Sequence, residues 1–154
     1  MKRGELHSPE EADTRAAGRR LAAVVRPGMR IGLSGELGTG KTAFVRGLAE
    51  GLGIAPEDVR SPSFPIVIPH LGGRLPLYHV DLFRLPAGDI DSLALREYIY
   101  GSGVCAIEWH ERLDEPMEDY LEIQLQFAPR GARRLSVVAH GSDYEQAVAA
   151  VCQR

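Results

Sequence analysis

The strongest constraint on this chain is a glycine-rich stretch that fits the phosphate-binding pattern G-x-x-x-x-G-K-[ST] without a mismatch. The backbone N–H groups of such a loop wrap the phosphates of a nucleotide, and side chains at the glycine positions would hold that backbone away. The lysine of the pattern can place its ammonium against the β- and γ-phosphate oxygens, and the hydroxyl after it is sited to ligate a Mg²⁺ ion. The stretch consists of Gly35, Glu36, Leu37, Gly38, Thr39, Gly40, Lys41 and Thr42.

The residues on either side of the loop match the structure that a phosphate loop requires. Residues 29–34 are typical of a short buried strand, and residues 42–52 place apolar side chains at helical spacing before Gly53, a helix stop. We therefore expect a strand, a loop and a helix in that order, with the positive end of the helix dipole directed at the phosphates. The alternative, which this context disfavours, is a glycine-rich turn that binds nothing.

Length and composition indicate one ordinary domain. The chain has 154 residues, so we expect a single domain over residues 1–154 with a core of its own. Its net charge of −3 and isoelectric point near 6.0 give no global attraction to nucleic acid or to an anionic membrane. Cys105 and Cys152 have neither metal-ligand spacing nor a disulfide pattern, which fits a reducing compartment. We expect a cytoplasmic protein with no signal peptide, membrane span or membrane partner.

A helix is predicted before the phosphate-loop strand. Ser8 is expected to cap it, Pro9 to take its first position and Glu11 to complete a capping box. An apolar stripe follows until Pro27 and Gly28 end the helix. Packing against a sheet explains this stripe without a ligand, although part of the helix could still approach the base of a nucleotide.

The middle of the chain predicts a hairpin at a sheet edge. Residues 61–68 combine β-forming side chains with prolines at their start, and residues 75–80 are the expected partner strand. Asp81 ends that strand, where its carboxylate could hold Mg²⁺ directly or through water, or could cap the following turn. Ser61 and Ser63 could sense the γ-phosphate as the switch loop of a nucleotide-binding protein does.

A second acidic residue follows a strand that the sequence predicts more clearly than the hairpin. Residues 104–107 form a short apolar run typical of a buried parallel strand, which stops at Glu108 and Trp109. An acid in this position has the Walker B form, in which the carboxylate faces Mg²⁺ or polarises the attacking water; a plain surface position is the alternative. Trp109, the single tryptophan, either packs against the nucleotide region or fills a core edge.

The last third predicts an antiparallel hairpin followed by a helix. Residues 120–127 alternate in polarity, residues 135–139 return after a turn, and residues 142–151 close the chain as a helix. Together with the loop, these elements predict an α/β fold: a P-loop NTPase-like sheet with a parallel centre and antiparallel hairpins at the edges, flanked by helices. The turn carries a cluster that could bind a phosphate, an RNA or a partner protein, or could simply be solvated: Arg130, Arg133 and Arg134.

A phosphate loop alone leaves the class of nucleotide enzyme open. The chain contains no asparagine and no Thr-Lys-x-Asp, so it lacks the element with which GTPases read guanine. A small-molecule kinase would need an acceptor pocket and an arginine-bearing lid, for which only residues 130–134 qualify. That kinase, and a module that binds ATP without turnover, are the alternatives to an ATPase.

Four motifs in order make the chain resemble a known family, the bacterial TsaE proteins, also called YjeE. They are the phosphate loop at residues 35–42, Ser-Pro-Ser-Phe at residues 61–64, His-Val-Asp-Leu-Phe-Arg-Leu at residues 79–85, and Ile-Glu-Trp at residues 107–109 with Glu-Arg-Leu at residues 111–113. The ordered set spans nearly the whole chain, and its specificity lies in the order, because the loop alone is common to many NTPases. TsaE proteins are small P-loop ATPases of tRNA threonylcarbamoyladenosine synthesis.

The resemblance implies a role for each of these motifs. ATP and Mg²⁺ are then the cofactors, and residues 61–64 are a switch-like loop. The family usually has Thr where Ser63 stands, which keeps a hydroxyl, and Tyr where Phe83 stands, which puts any hydrogen bond made there in doubt. The implied functional site consists of Lys41 and Thr42 for phosphate and Mg²⁺, Asp81 and Glu108 for the metal and the water, and Trp109.

The resemblance also implies a partner. It predicts that this protein does not attach the threonylcarbamoyl group itself but binds a TsaB–TsaD heterodimer and hydrolyses ATP to reset that transferase, with tRNA contacted indirectly through the complex. No arginine finger is obvious in the chain, so we expect slow hydrolysis by the protein alone and faster hydrolysis when the partner orders the switch loop or supplies a missing group.

Overall fold

The computed structural model describes residues 2–60, 66–84 and 92–153, which form one mixed sheet and the helices that pack on it. The strands are β1 at Arg3–Ser8, β2 at Arg30–Ser34, β3 at Val67–His70, β4 at Leu77–Asp81, β5 at Val104–Glu108, β6 at Tyr120–Phe127 and β7 at Arg133–His140. The helices are α1 at Glu11–Ala22, α2 at Lys41–Gly51, α3 at Ser92–Ile99 and α4 at Glu145–Cys152. Within the sheet the strands follow the order β1-β7-β6-β2-β5-β4-β3.

The centre of the sheet is parallel and both edges are antiparallel. Strand β2 pairs in parallel with both β5 and β6, and β4 pairs in parallel with β5. At one edge β3 and β4 form an antiparallel hairpin, and at the other edge β7 is antiparallel to both β6 and β1. The predicted α/β sheet, with its parallel centre and antiparallel hairpins at the edges, is therefore confirmed.

Two hydrophobic clusters lie on opposite faces of the sheet. Because successive side chains of a strand point to opposite faces, β5 contributes Val104 and Ala106 to one cluster and Cys105 and Ile107 to the other. The larger cluster includes side chains of α1, α2 and α4, and the smaller one includes side chains of α3. No helix in the described part of the chain is long and apolar enough to cross a membrane.

The N-terminal segment differs from the prediction. Ser8, expected to cap the first helix, is the last residue of β1, and α1 starts at Glu11 rather than at Pro9. The start of α1 is held instead by Asp13, whose carboxylate accepts the Glu10 N–H at 3.0 Å. Strand β1 has no apolar run to reveal it, because it is an edge strand that alternates exposed polar side chains with buried ones.

The other predicted elements are present. The strand and helix around the loop are β2 and α2, the predicted hairpins are β3 with β4 and β6 with β7, and the buried strand before Glu108 is β5. Helix α4 starts at Glu145 rather than at Ser142, after a short 3-10 turn. The first residues of the predicted strand 61–68 lie outside the described residues.

Helices α1 and α2 approach each other closely at glycine positions. A Cβ atom at Gly18 or at Gly47 would overlap the backbone of the facing helix. The same crossing is closed by Glu50, whose two carboxylate oxygens accept hydrogen bonds from Arg15 at 2.9 Å and from Arg19 at 2.7 Å. The position of α2, and with it the position of the loop at its start, depends on this contact.

We expect Gly47→Ala to destabilise the protein. Alanine normally stabilises a helix interior by up to about 1 kcal/mol relative to glycine. Here its methyl group meets the Arg15 carbonyl, so the free energy of unfolding should fall by about 1–3 kcal/mol, as measured by urea unfolding followed by circular dichroism. Gly72→Ala is the control, because no atom lies within 4 Å of an added Cβ there. Equal stability of the two variants would contradict the close approach of α1 and α2.

Candidate functional site

The loop between β2 and α2 is shaped by glycine. Gly35, Gly38 and Gly40 have φ angles of 143°, 85° and 107°, in a region that other residues rarely adopt. At Gly35 an added Cβ atom would also overlap a carbonyl of β6, so this position excludes a side chain. The Thr39 hydroxyl donates to the Glu36 carbonyl at 2.8 Å and holds the turn. The result is a tight loop of the kind that phosphate binding requires.

Lys41 is held inside this loop. It is only 4% exposed, and its Nζ donates to the carbonyls of Gly35 at 2.6 Å and Glu36 at 3.0 Å. Nζ also lies 4.4 Å from the centre of the Trp109 ring. Burial lowers the pKa of the Lys41 ammonium, and the negative charge of Glu108 opposes that shift. An ammonium desolvated in this way favours a bound anion, which restores the charge stabilisation lost on burial.

Glu108 bonds directly to the first turn of the loop helix. The Thr42 hydroxyl donates to both of its carboxylate oxygens, at 3.0 Å to Oε1 and 2.9 Å to Oε2. The Nε2 atom of His79 on β4 lies 2.5 Å from Oε2. Glu108 is 2% exposed and His79 is fully buried, so the alternative of a plain surface position does not hold for Glu108.

Asp81 lies opposite Glu108 in the sheet. The two residues are register partners at the ends of β4 and β5, and β2 reaches the same edge with Leu33 paired to Glu108. Asp81 Oδ1 accepts the Phe83 N–H at 2.9 Å, and its side chain also lines the cleft beside the loop. Of the two roles that the sequence left open, the cap of the turn after β4 is observed, and metal ligation stays a prediction.

Trp109 follows Glu108 in a strained conformation. Its φ of 61° lies in the left-handed region, which costs a residue with a Cβ atom about 1–2 kcal/mol. Its backbone N–H donates a hydrogen bond to the Leu33 carbonyl at 2.9 Å. Its ring centre lies 5.1 Å from that of Phe83 and 5.0 Å from the Arg112 guanidinium carbon. The ring lines the cleft beside the loop and also packs against the smaller hydrophobic cluster, and its contact with a nucleotide stays a prediction.

These groups surround one cleft of about 520 Å³. Gly35 and Glu36 are not among its lining residues, but their carbonyl groups accept hydrogen bonds from Lys41. Ser61 and Ser63, with the rest of the predicted switch-like loop, lie outside the described residues. The predicted site residues that line the cleft are Leu37, Gly38, Thr39, Gly40, Lys41, Thr42, Asp81, Glu108 and Trp109.

One of the three arginines that were predicted as a possible phosphate-binding cluster lines the cleft, and several further lining residues were not predicted. Arg133 lines it and donates to the Gly38 carbonyl at 3.1 Å, whereas Arg130 and Arg134 are exposed; no sequence signal separates these three arginines. His79, which contacts the site from behind, did carry a signal, because a histidine within an apolar strand must find a polar partner. The other unpredicted lining residues are Glu10, Glu11, Thr14, Ala43, Arg46, Phe83, Arg84 and Gly131.

The donor set of the cleft fits a magnesium-bound nucleotide. Mg²⁺ prefers oxygen ligands and usually takes only one or two of them from the protein, the rest coming from phosphates and water. Thr42, Asp81 and Glu108 offer such oxygens beside the loop. Within the described ranges, no cluster of three or more His, Cys, Asp or Glu forms a cation site by itself.

A phosphate loop at the carboxyl end of a central parallel strand, with an acid at the end of the neighbouring strand, defines a P-loop-type α/β protein. Residues 8–135 match the family model described as "Threonylcarbamoyl adenosine biosynthesis protein TsaE". The chain belongs to the TsaE family, as the ordered motifs predicted.

Similarity to individual TsaE proteins extends over most of the chain. The tRNA threonylcarbamoyladenosine biosynthesis protein TsaE of Bacillus subtilis is 40% identical over 139 residues, which cover 90% of this chain and 85% of that protein. The protein of the same name from Streptomyces coelicolor is 44% identical over 116 residues, 72% of this chain and 77% of that protein. The crystal structure of Bacillus subtilis YdiB matches with a TM-score of 0.80 at 34% identity, covering 97% of this chain and 94% of YdiB.

We expect Trp109→Gly to be more stable than Trp109→Ala. Both variants lack the indole ring, but glycine adopts a φ of 61° without the steric cost that a Cβ atom imposes on alanine. The free energy of unfolding, measured by urea titration, should be higher for the glycine variant by about 1 kcal/mol. The same pair at exposed Glu111, where φ is not positive, is the control and should show the opposite order. Alanine equal to or better than glycine at position 109 would contradict the left-handed backbone.

Proposed function

We propose that this protein is a Mg²⁺-dependent ATPase that binds a TsaB–TsaD complex and hydrolyses ATP to reset it. As a member of the TsaE family it takes part in tRNA threonylcarbamoyladenosine biosynthesis, which implies involvement with the TsaB–TsaD system. The observation that carries the proposal is the Thr42 hydroxyl bonded to the buried Glu108 carboxylate. This contact brings the metal-binding hydroxyl of a phosphate loop against the acid that a hydrolase needs.

Phosphate binding is assigned to the loop and Lys41. The start of α2 adds the positive end of a helix dipole at the same place. The Lys41 ammonium is already desolvated, so a phosphate oxygen would replace its contacts with the Gly35 and Glu36 carbonyls by a charged partner. When bound, Mg²⁺ supplies positive charge that offsets the charge developing on the phosphate oxygens.

Glu108 is assigned to the attacking water. Its carboxylate can accept a proton from that water or hold it in line with the γ-phosphate, and the Thr42 hydroxyl bond keeps the carboxylate at the loop. Asp81 is its register partner on β4 and offers a second carboxylate to the metal, directly or through water. Burial lowers the pKa of the Lys41 ammonium, and the negative charges of Glu108 and Asp81 oppose that shift.

The protein alone is expected to hydrolyse ATP slowly. Three arginines line the cleft, Arg46, Arg84 and Arg133. Two of them donate to backbone carbonyls, Arg46 to Val59 at 2.8 Å and Arg133 to Gly38 at 3.1 Å. Side chains held in this way are not placed to neutralise transition-state charge as an arginine finger does. The partner complex would act on the loop at residues 61–64 or supply the missing charge, with tRNA contacted through the complex.

The test is the release of inorganic phosphate from ATP with Mg²⁺, for the protein alone and with the TsaB–TsaD pair. We expect the pair to accelerate release. Lys41→Ala removes the phosphate-binding charge and should abolish the acceleration. Glu108→Ala removes the group that orients the water and should lower the stimulated rate by about 10²–10⁴-fold. Lys2→Ala and Glu118→Ala are the matched controls, because both side chains are exposed, and they should behave as the unsubstituted protein.

Three results would contradict this function. One is the absence of acceleration by the pair while ATP still binds. Another is ATP binding without any product even with the pair, which would favour a nucleotide-dependent binding module. The third is ATP consumption that rises with a hydroxyl-bearing acceptor and yields its phosphate ester, which would favour a small-molecule kinase.

A further inference from the structure

His79 is a fully buried histidine on the strand that ends at Asp81. Its neighbours on β4 include Leu77 and Val80, which are fully buried as well. A polar ring in such surroundings is costly unless its nitrogen atoms find partners. Nε2 lies 2.5 Å from Glu108 Oε2, and Nδ1 has no hydrogen-bond partner in the described part of the chain. The imidazole therefore makes its polar contact with Glu108, the acid that we propose orients the attacking water.

The direction of this hydrogen bond follows from the chemistry of the two groups. Because a carboxylate oxygen is an acceptor, Nε2 of His79 donates the hydrogen bond and Oε2 of Glu108 accepts it. Oε2 then receives bonds from both His79 and Thr42, whereas Oε1 receives one from Thr42. The two oxygens are therefore unlike: Oε2 is held from two sides, and Oε1 keeps more capacity for a water or a metal ion.

His79 reaches the site only through Glu108. Thr42, Asp81 and Glu108 line the cleft, and His79 does not. The parallel pairing of β4 with β5 sets Asp81 beside Glu108 and His79 beside Ala106, one pleat further back on the same face. Any effect of the imidazole on a bound nucleotide must pass through the carboxylate that it holds.

We propose that His79 is a positioning residue that holds Oε2 of Glu108 and thereby directs Oε1 toward the ligand. The catalytic consequence rests on the proposed function, but the orientation of Glu108 can be measured without it. A histidine that merely fills the core would be replaceable without moving Glu108. A positioning histidine is replaceable only by a side chain that returns an N–H to the place of Nε2.

Glutamine and asparagine provide a matched pair of substitutions. The amide nitrogen of glutamine can reach the place of Nε2, whereas that of asparagine reaches only the place of Nδ1. With the TsaB–TsaD pair, we expect His79→Asn and His79→Leu to lower kcat for ATP hydrolysis by about 10–100-fold, with little change in KM for ATP. His79→Gln should recover most of the rate.

His70→Leu is the control for loss of a buried histidine. His70 lies on the neighbouring strand β3, is 8% exposed, and its Nε2 has no hydrogen-bond partner among the residues that the structure describes. Its replacement should leave kcat near that of the unsubstituted protein. If His79→Leu fails to fold, the glutamine and asparagine variants carry the comparison, because both put a polar amide at position 79 and differ only in how far it reaches.

Crystal structures of these variants without nucleotide give a readout that does not depend on hydrolysis. We expect the Glu108 side chain to keep its place in His79→Gln and to turn away in His79→Asn. An unchanged Glu108 in His79→Asn, or a kcat for that variant equal to that of the unsubstituted protein, would overturn the proposal. If the unsubstituted protein shows no accelerated hydrolysis, the proposed function fails, and the orientation of Glu108 alone decides the role of His79.

Discussion

The site depends on the edge of the sheet where three parallel strands end side by side. Strand β2 runs into the phosphate loop, β5 ends at Glu108 and β4 ends at Asp81, and the register pairs Glu108 with both Leu33 and Asp81. Because the carboxyl ends of parallel strands meet at one edge, the sheet brings together a loop and two acids that are far apart in sequence. The hydrogen bonds from Thr42 to Glu108 then tie the loop helix to β5.

Burial makes the charged groups of this edge interact strongly. Lys41, Asp81 and Glu108 are all buried, and charges in such surroundings act on one another more strongly than they do in water. Burial also lowers the pKa of the Lys41 ammonium, and the nearby Glu108 charge opposes that change. Each group is held by hydrogen bonds before any ligand arrives, Lys41 by loop carbonyls and Glu108 by Thr42 and His79. Preorganised dipoles and charges of this kind are the main source of transition-state stabilisation in phosphoryl transfer.

Local sequence patterns were sufficient to predict the loop, the positions of Asp81 and Glu108 at the ends of strands, and the mixed sheet. Each of these features is encoded within a few neighbouring residues. The order of the motifs was also sufficient for the TsaE family. What the sequence did not predict depends on contacts between distant segments. Strand β1 owes its conformation to pairing with β7 rather than to an apolar run of its own. Arg133 meets Gly38 only because the turn after β6 folds over the loop, and the left-handed backbone of Trp109 accompanies a hydrogen bond to Leu33 on β2.

The central claim is that the loop, Thr42 and Glu108 form one site for a magnesium-bound nucleotide. Isothermal titration calorimetry of ATP tests it most directly, with the unsubstituted protein and with Thr42→Val, each in Mg²⁺ and in a chelator. Valine keeps the branched shape of threonine without its hydroxyl. We predict that Mg²⁺ tightens ATP binding to the unsubstituted protein, that this gain is lost in Thr42→Val, and that the two proteins bind ATP equally in the chelator. An equal gain from Mg²⁺ in both proteins would contradict the account.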